Sequence, residues 1–121
     1  MDSRALGNIG ETKASKYLEA KGFIIVERNY HYSRFSEIDI IAKKGDTYVF
    51  VEVKSDFKGN FGDPLLWINN RKIRNISKAA FAYIHKKKIN NYNFRFDVIT
   101  ITKVENDFKI NHIENSFEPI L

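Results

Sequence analysis

Glu37-Ile38-Asp39-Ile40-Ile41-Ala42-Lys43-Lys44-Gly45-Asp46-Thr47-Tyr48-Val49-Phe50-Val51-Glu52-Val53-Lys54 reads as a β-hairpin with acids set among its apolar residues. Gly45-Asp46 between two apolar runs is a two-residue hairpin loop. That loop places Lys44 opposite Thr47, and therefore Asp39 opposite Glu52 and Glu37 opposite Lys54. Strand side chains alternate, so these four share one face, and Ile38, Ile40, Val51 and Val53 share the other. The inference rests on the loop, because a shift of one residue would break the arrangement.

Opposed residues lie ~5 Å apart at Cβ. Two carboxylates at that distance repel by roughly 3 kcal/mol at an effective dielectric of about 20. Such a pair persists when the acids share a proton or when something positive sits between them. A divalent cation with oxygen ligands meets that need, and Mg²⁺ is typically held by one or two carboxylates plus phosphate oxygens. Lys54 lies two residues beyond Glu52, ~7 Å along the strand, placed to orient a water or steady a phosphate. Plainer readings exist. Glu-x-Lys is common, Glu37 with Lys54 also fits a cross-strand ion pair contributing about 0.2–1 kcal/mol, and acids line solvated sheet faces. The apolar residues around both acids speak against a wet face, but the hairpin alone leaves the two readings open.

The 121 residues suffice for one domain spanning 1–121, and 43% hydrophobic with 14% aromatic residues supply a core and argue against disorder. No apolar run reaches the ~18 residues needed to span a bilayer. Met1-Asp2-Ser3-Arg4 leads into a polar helix and not a signal peptide, so a cytoplasmic setting without a membrane partner is expected. The absence of cysteine excludes disulfides, zinc–thiolate sites and cysteine nucleophiles. The net charge of +5 is unevenly spread: from Pro64 through Phe94 there are seven Lys/Arg and no acid. Nucleic acid is the expected partner, against the plainer reading of a solvated lysine-rich helix.

Residues 3–21 read as a helix with Leu6, Gly10, Ala14, Tyr17 and Leu18 on one side, ended by Gly22. Phe23 to Glu27 reads as a strand and Asn29 to Ser36 as a loop. The hairpin strands cover 37–43 and 48–54, and a loop with Gly59 and Gly62 follows. Pro64 is a fitting first-turn residue for a second helix reaching Lys88. Strands at 92–102 and 108–113 complete the order α-β-β-β-α-β-β, an α/β fold with a central mixed sheet flanked by helices. Glu11 sits at the margin of the first helix's apolar stripe, and Gly7 leaves that surface open for close approach. A carboxylate there could join Asp39 and Glu52, although a boundary glutamate reaching water is the plainer reading. In the second helix Ile73, Ile76, Ala80, Tyr83 and Ile84 form the core stripe. Arg71, Arg74, Lys78 and His85 fall opposite, as a solvated face. Lys72, at the edge, could reach over the sheet toward a phosphate. His31, His85 and His112 share no useful spacing.

Gly10-Glu11, Arg28-Asn29, Ser36-Glu37-Ile38-Asp39-Ile40-Ile41, Phe50-Val51-Glu52-Val53-Lys54, Lys72 followed by Ala80-Phe81-Ala82-Tyr83-Ile84, and Arg95-Phe96-Asp97-Val98-Ile99 form a specific series. With it the chain resembles, end to end, the YraN-like family of small bacterial proteins. That family looks like a branch of the PD-(D/E)xK nuclease superfamily, similar to archaeal Holliday-junction resolvases. The resemblance implies a restriction-endonuclease-like fold. It implies Asp39 as the first metal-binding acid, Glu52 and Lys54 as the (D/E)xK pair, and Glu11 as the helix glutamate of the resolvase branch. Two positions depart: Ser36 stands where a glycine is usual, and Asp56 where an arginine often follows the lysine. Asp56 puts negative charge where a phosphate contact would be expected. Arg95 and Asp97 fit the pattern and read as a structural ion pair.

These readings lead to an expected Mg²⁺- or Mn²⁺-dependent endonuclease acting on DNA. Asp39, Glu52 and the Val53 carbonyl would hold the metal, Lys54 and Glu11 would serve the water, Lys72 would meet a flanking phosphate, and Glu37 would steady Lys54. A symmetric junction would suit a homodimer. The alternatives are a nucleic-acid-binding module that keeps the fold without cleavage, and an adaptor for a protein partner in DNA uptake or repair.

Overall fold

A computed structural model describes residues 3–58, 62 and 68–120. The elements are α1 (Ser3–Ala20), β1 (Ile24–His31), β2 (Glu37–Lys44), β3 (Thr47–Asp56), α2 (Asn70–Lys87), β4 (Asn93–Val104) and β5 (Asp107–Ile113). The five strands form one sheet in the order β1-β2-β3-β4-β5. β3 and β4 run parallel and the other neighbours antiparallel. A parallel pair needs a crossover, and α2 supplies it. This mixed sheet with two helices is consistent with a restriction-endonuclease-like fold.

The hairpin turns at Gly45, whose φ of 60° suits glycine. Pairing then runs from Lys44–Thr47 to Ile40–Val51, in the register expected from the loop. It ends there, one pair short of Asp39 and Glu52. The helices cover opposite faces. Under α1 lie Ile40, Ala42, Val49, Val51, Ile99 and Ile101 with Ala14, Leu18 and Phe23. Under α2 lie Ile41, Phe50 and Phe96 with Ile76, Ala79, Ala80 and Tyr83. Ile38 packs in this second cluster, not with Ile40 as alternation required. Beyond Ile40 no partner in β3 holds β2 to the pleat, so the strand's strict alternation lapses.

α1 ends as Gly22 predicts: φ is 94° and the Phe23 N–H reaches the Leu18 carbonyl at 3.0 Å. The close approach occurs at Gly10 and not at Gly7. A Cβ at Gly10 would strike Ser55 Oγ and lie 3.2 Å from Ser55 Cβ, whereas one at Gly7 would meet none of the described residues within 4 Å. β1 runs four residues beyond the expected Glu27, to His31, because pairing with β2 satisfies its backbone as far as His31–Glu37. The expected loop shrinks to a tight turn closed by Tyr32 N–H to the Ser36 carbonyl at 2.9 Å.

α2 begins later than expected. Ile68 and Asn69 are not helical, and the Asn69 side chain caps the helix by accepting the Lys72 N–H at 2.9 Å. Pro64 and Gly59 lie outside the described residues. After β5 the chain returns to α2: Ser116 N–H bonds the Phe96 carbonyl at 2.7 Å, and Ile120 N–H bonds Ser77 Oγ at 3.0 Å. Among the described residues no helix is long and apolar enough to cross a membrane.

Candidate active site

β2 and β3 part beyond Ile40–Val51, and the acids sit in the parting. Val53 N–H, which a continued ladder would have given to a β2 carbonyl, donates instead to Asp39 Oδ2 at 2.8 Å. Val53 is therefore tied to Asp39 through its N–H. Asp39 and Glu52 meet through a carboxyl–carboxyl hydrogen bond, and Glu52 is 7% exposed. Burial, then the charge of Asp39, pushes the Glu52 carboxyl up to about 8. Burial likewise raises Asp39, against the Val53 N–H and the Lys72 charge. The two acids thus hold a proton between them near neutral pH and titrate as a pair.

Lys72 reaches over the sheet, as its place on α2 suggested, but its Nζ meets Glu52 Oε1 at 3.4 Å. Burial opposes its charge, yet the attraction of Glu52 and Asp39 prevails and its pKa is raised. Lys54 is half-buried on β3, two residues past Glu52 and on the same side of the strand. Glu37 is turned to β1, where its Oε2 lies 3.2 Å from His31 Nδ1. The backbone pairing expected to set Glu37 opposite Lys54 stops before it reaches them.

Glu11 approaches from α1. Its carboxyl is raised by burial and then by the charge of Asp39. Arg28 lies 3.8 Å from Glu11 Oε1 and also donates to Thr12 Oγ1 at 3.3 Å. The Asn29 side chain hydrogen-bonds the Glu11 carboxyl, from a backbone at φ 54° that asparagine tolerates. Arg28-Asn29, quoted above without a role, is the pair that holds Glu11. No local sign in the sequence announces this, since Asn29 reads there as the start of a loop.

The donor chemistry fits an oxygen-liganded dication. Asp39 and Glu52 converge, both made less acidic chiefly by burial, and Glu11 Oε1 is buried without a hydrogen-bond partner among the described residues. Among the described residues no group of three His, Cys, Asp or Glu forms a metal cluster. Two protein carboxylates, with water and phosphate completing the shell, are the set Mg²⁺ ordinarily uses.

Residues 10–101 match the family described as uncharacterised protein family UPF0102. The chain belongs to the UPF0102 family. It is 44% identical over 112 residues to a UPF0102 protein of Syntrophus aciditrophicus, covering 93% of this chain and 87% of that one. It is 43% identical over 117 residues to a UPF0102 protein of Alkaliphilus oremlandii, covering 95% and 99%, and 43% identical over 118 residues to one of Clostridium tetani, covering 96% of each. The UPF0102 match spans all the residues of the acid cluster, from Glu11 to Lys72.

Two further groups were placed by folding. Asp56 is 5% exposed, so its charge is not presented at the surface as a barrier to phosphate. Asp97 is fully buried on the α1 face, where Arg95 Nε and Nη2 grip its carboxylate at 2.9 and 3.0 Å. His112 Nε2 lies 2.6 Å from Asp97 Oδ2, and Tyr17 Oη 3.3 Å from His112 Nδ1. The structural ion pair read from the sequence is present, but it is part of a wider knot.

Proposed function

We propose that this chain is a metal-dependent nuclease hydrolysing phosphodiester bonds of DNA on the PD-(D/E)xK plan that its sequence resembles. The observation that carries the reading is the pairing of half-buried Asp39 with buried Glu52 where β2 leaves β3. A fold that needed only stability would fill that parting with apolar side chains, since a buried carboxyl pair costs desolvation and repulsion.

Asp39 and Glu52 would hold Mg²⁺ or Mn²⁺, which when bound supplies Lewis acidity and a water of lowered pKa. Lys54 holds the attacking water beside the phosphorus and gives a hydrogen bond to the phosphoryl oxygen as charge gathers there. Glu11, fixed by Arg28 and Asn29, accepts a hydrogen bond from that water. Lys72 leaves Glu52 for a flanking phosphate, exchanging one anionic partner for another. A homodimer would match a two-fold branched substrate.

The test is incubation with labelled branched, single-stranded and duplex DNA in Mg²⁺ and in Mn²⁺, with Asp39→Asn in parallel. The expected result is cleavage by the natural chain and its loss, by at least about 100-fold, in the variant. Cleavage of none of the substrates, or equal cleavage by both proteins, would refute it. One observation favours a second reading, a binding module without cleavage: the Lys72 ammonium already offsets Glu52 at 3.4 Å. Mg²⁺ binding that is weak and unchanged in Glu52→Gln would favour that module.

A further inference from the structure

The outer face of α2 is not merely solvated. The turn after β1 folds against it, and the two enclose a groove of about 760 Å³. Its walls carry Tyr32, Phe35 and Phe81 together with Arg74, Lys78 and His85, and no acid among the described residues lines it. The three aromatic side chains are 57%, 66% and 39% exposed. Arg34 lies 5.3 Å from the Phe35 ring centroid, showing that the ring also attracts a cation. A smaller hollow shares Phe35 and Asn75 with the groove and continues to Arg71 and Lys72. Lys72 in turn touches Glu52. A continuous surface carrying rings and cations thus leads to Lys72 and, through it, to Glu52.

We propose that this groove binds a single-stranded nucleic-acid segment and feeds it toward Asp39 and Glu52. Duplex DNA keeps its bases stacked on one another and offers rings nothing to stack on. A single strand has free base faces and a charged backbone, and sites for it combine aromatic platforms with a positive track. Both halves are present here, lining the same groove. The proposal deepens the nuclease reading by naming the part of the substrate that the site receives. A purely apolar partner would have no use for the cations, and an acidic helix would have little for three separate rings.

The test is fluorescence anisotropy with labelled oligo-dT and oligo-rU of about 12 nucleotides, within the span one small domain covers. A blunt duplex of equal charge serves as competitor, and EDTA is present throughout. With metal removed the acid pair contributes no cleavage, so failure of the groove and failure of the nuclease reading are read separately. Binding of a single strand in preference to duplex is expected. Tyr32→Leu with Phe35→Leu keeps the surface apolar but removes stacking, and should weaken binding by about tenfold or more. Arg74→Ala and Lys78→Ala should each lower the salt dependence of log K by about 0.7. The dT and rU arms tell DNA from RNA. Equal affinity for duplex, or leucine variants that bind as the natural chain does, would overturn the proposal and leave the groove to a protein partner.

Discussion

The carboxyl of Glu52 carries the sharpest physical signature in the molecule. Its ordinary value is 4.5, and burial with Asp39 beside it pushes it up to about 8. Between those values the folded chain holds a proton that the unfolded chain has released. Stability therefore falls as pH rises through that window, and the favourable contribution is complete only below it. Denaturant melts of the metal-free protein should show this fall, on the order of a few kcal/mol, and Glu52→Gln should flatten it. A profile that is level in the natural chain would mean that the acids are solvated and not paired. Adding Mg²⁺ should restore stability chiefly at the alkaline end, where both carboxylates are free to bind it. Of this residue chemistry, the sequence showed Asp39 and Glu52 as opposed acids, because alternation and a two-residue loop are local rules. It did not show that Lys72 would reach Glu52, nor that Glu37 would turn to His31.

At the scale of elements, the parting of β2 from β3 creates the site and the seating of α1 completes it. α1 rests on β3 at Gly10, where Ser55 leaves no room for a side chain. Gly10→Ala should lower stability by about 1–3 kcal/mol, as overpacking does, and Ser55→Ala should return part of the loss. Thermal or urea melts of the single and double variants measure this. Full stability in Gly10→Ala would show that the helix can shift without cost, and with it Glu11. The stripe of Gly10, Ala14 and Leu18 was visible as helical periodicity, yet the glycine in contact could not be told from Gly7. Gly10 lies in the stripe and Gly7 beside it, and only the position of Ser55 shows which of them makes the contact. The late start of α2 had a local sign in Asn69, a good capping residue, that Pro64 overshadowed.

Across the molecule, the Asp97 knot joins parts that no single element links. Tyr17 comes from α1, Arg95 and Asp97 from β4, His112 from β5, and Asn115 N–H from the chain beyond it at 2.9 Å from Asp97 Oδ1. Burial alone would raise the Asp97 carboxyl, but bonds from His112, Arg95 and Asn115 hold it below its ordinary value of 3.8. Its contribution is therefore present above that pH and lost as pH falls through the lower folded value. Asp97→Asn leaves the partly exposed Arg95 and the largely buried His112 side chain facing a neutral amide in place of their carboxylate, and should cost about 1.5–3 kcal/mol near neutral pH. Comparing melts near pH 7 and pH 3 should show the difference between variant and natural chain shrinking in acid. An equal difference at both would mean that the knot works by shape and not by charge. The chain's basic stretch was legible as composition, but its reading as a solvated face missed the aromatic turn that folds against it.

What the residues dictate locally is extensive: the order of helices and strands, the hairpin register, the glycine stop after α1, and two opposed acids on neighbouring strands. Each depends on neighbours a few positions apart, where backbone geometry and periodicity act directly. What needed the assembled fold is of another kind. Tyr17 and His112 are 95 positions apart in sequence, and Lys72 finds Glu52 from a different layer of the structure. Such contacts arise when hydrophobic burial fixes whole elements against one another, and their side chains meet only as a consequence. Local pattern can nominate the groups, but the energy that brings them together is spread over the entire core.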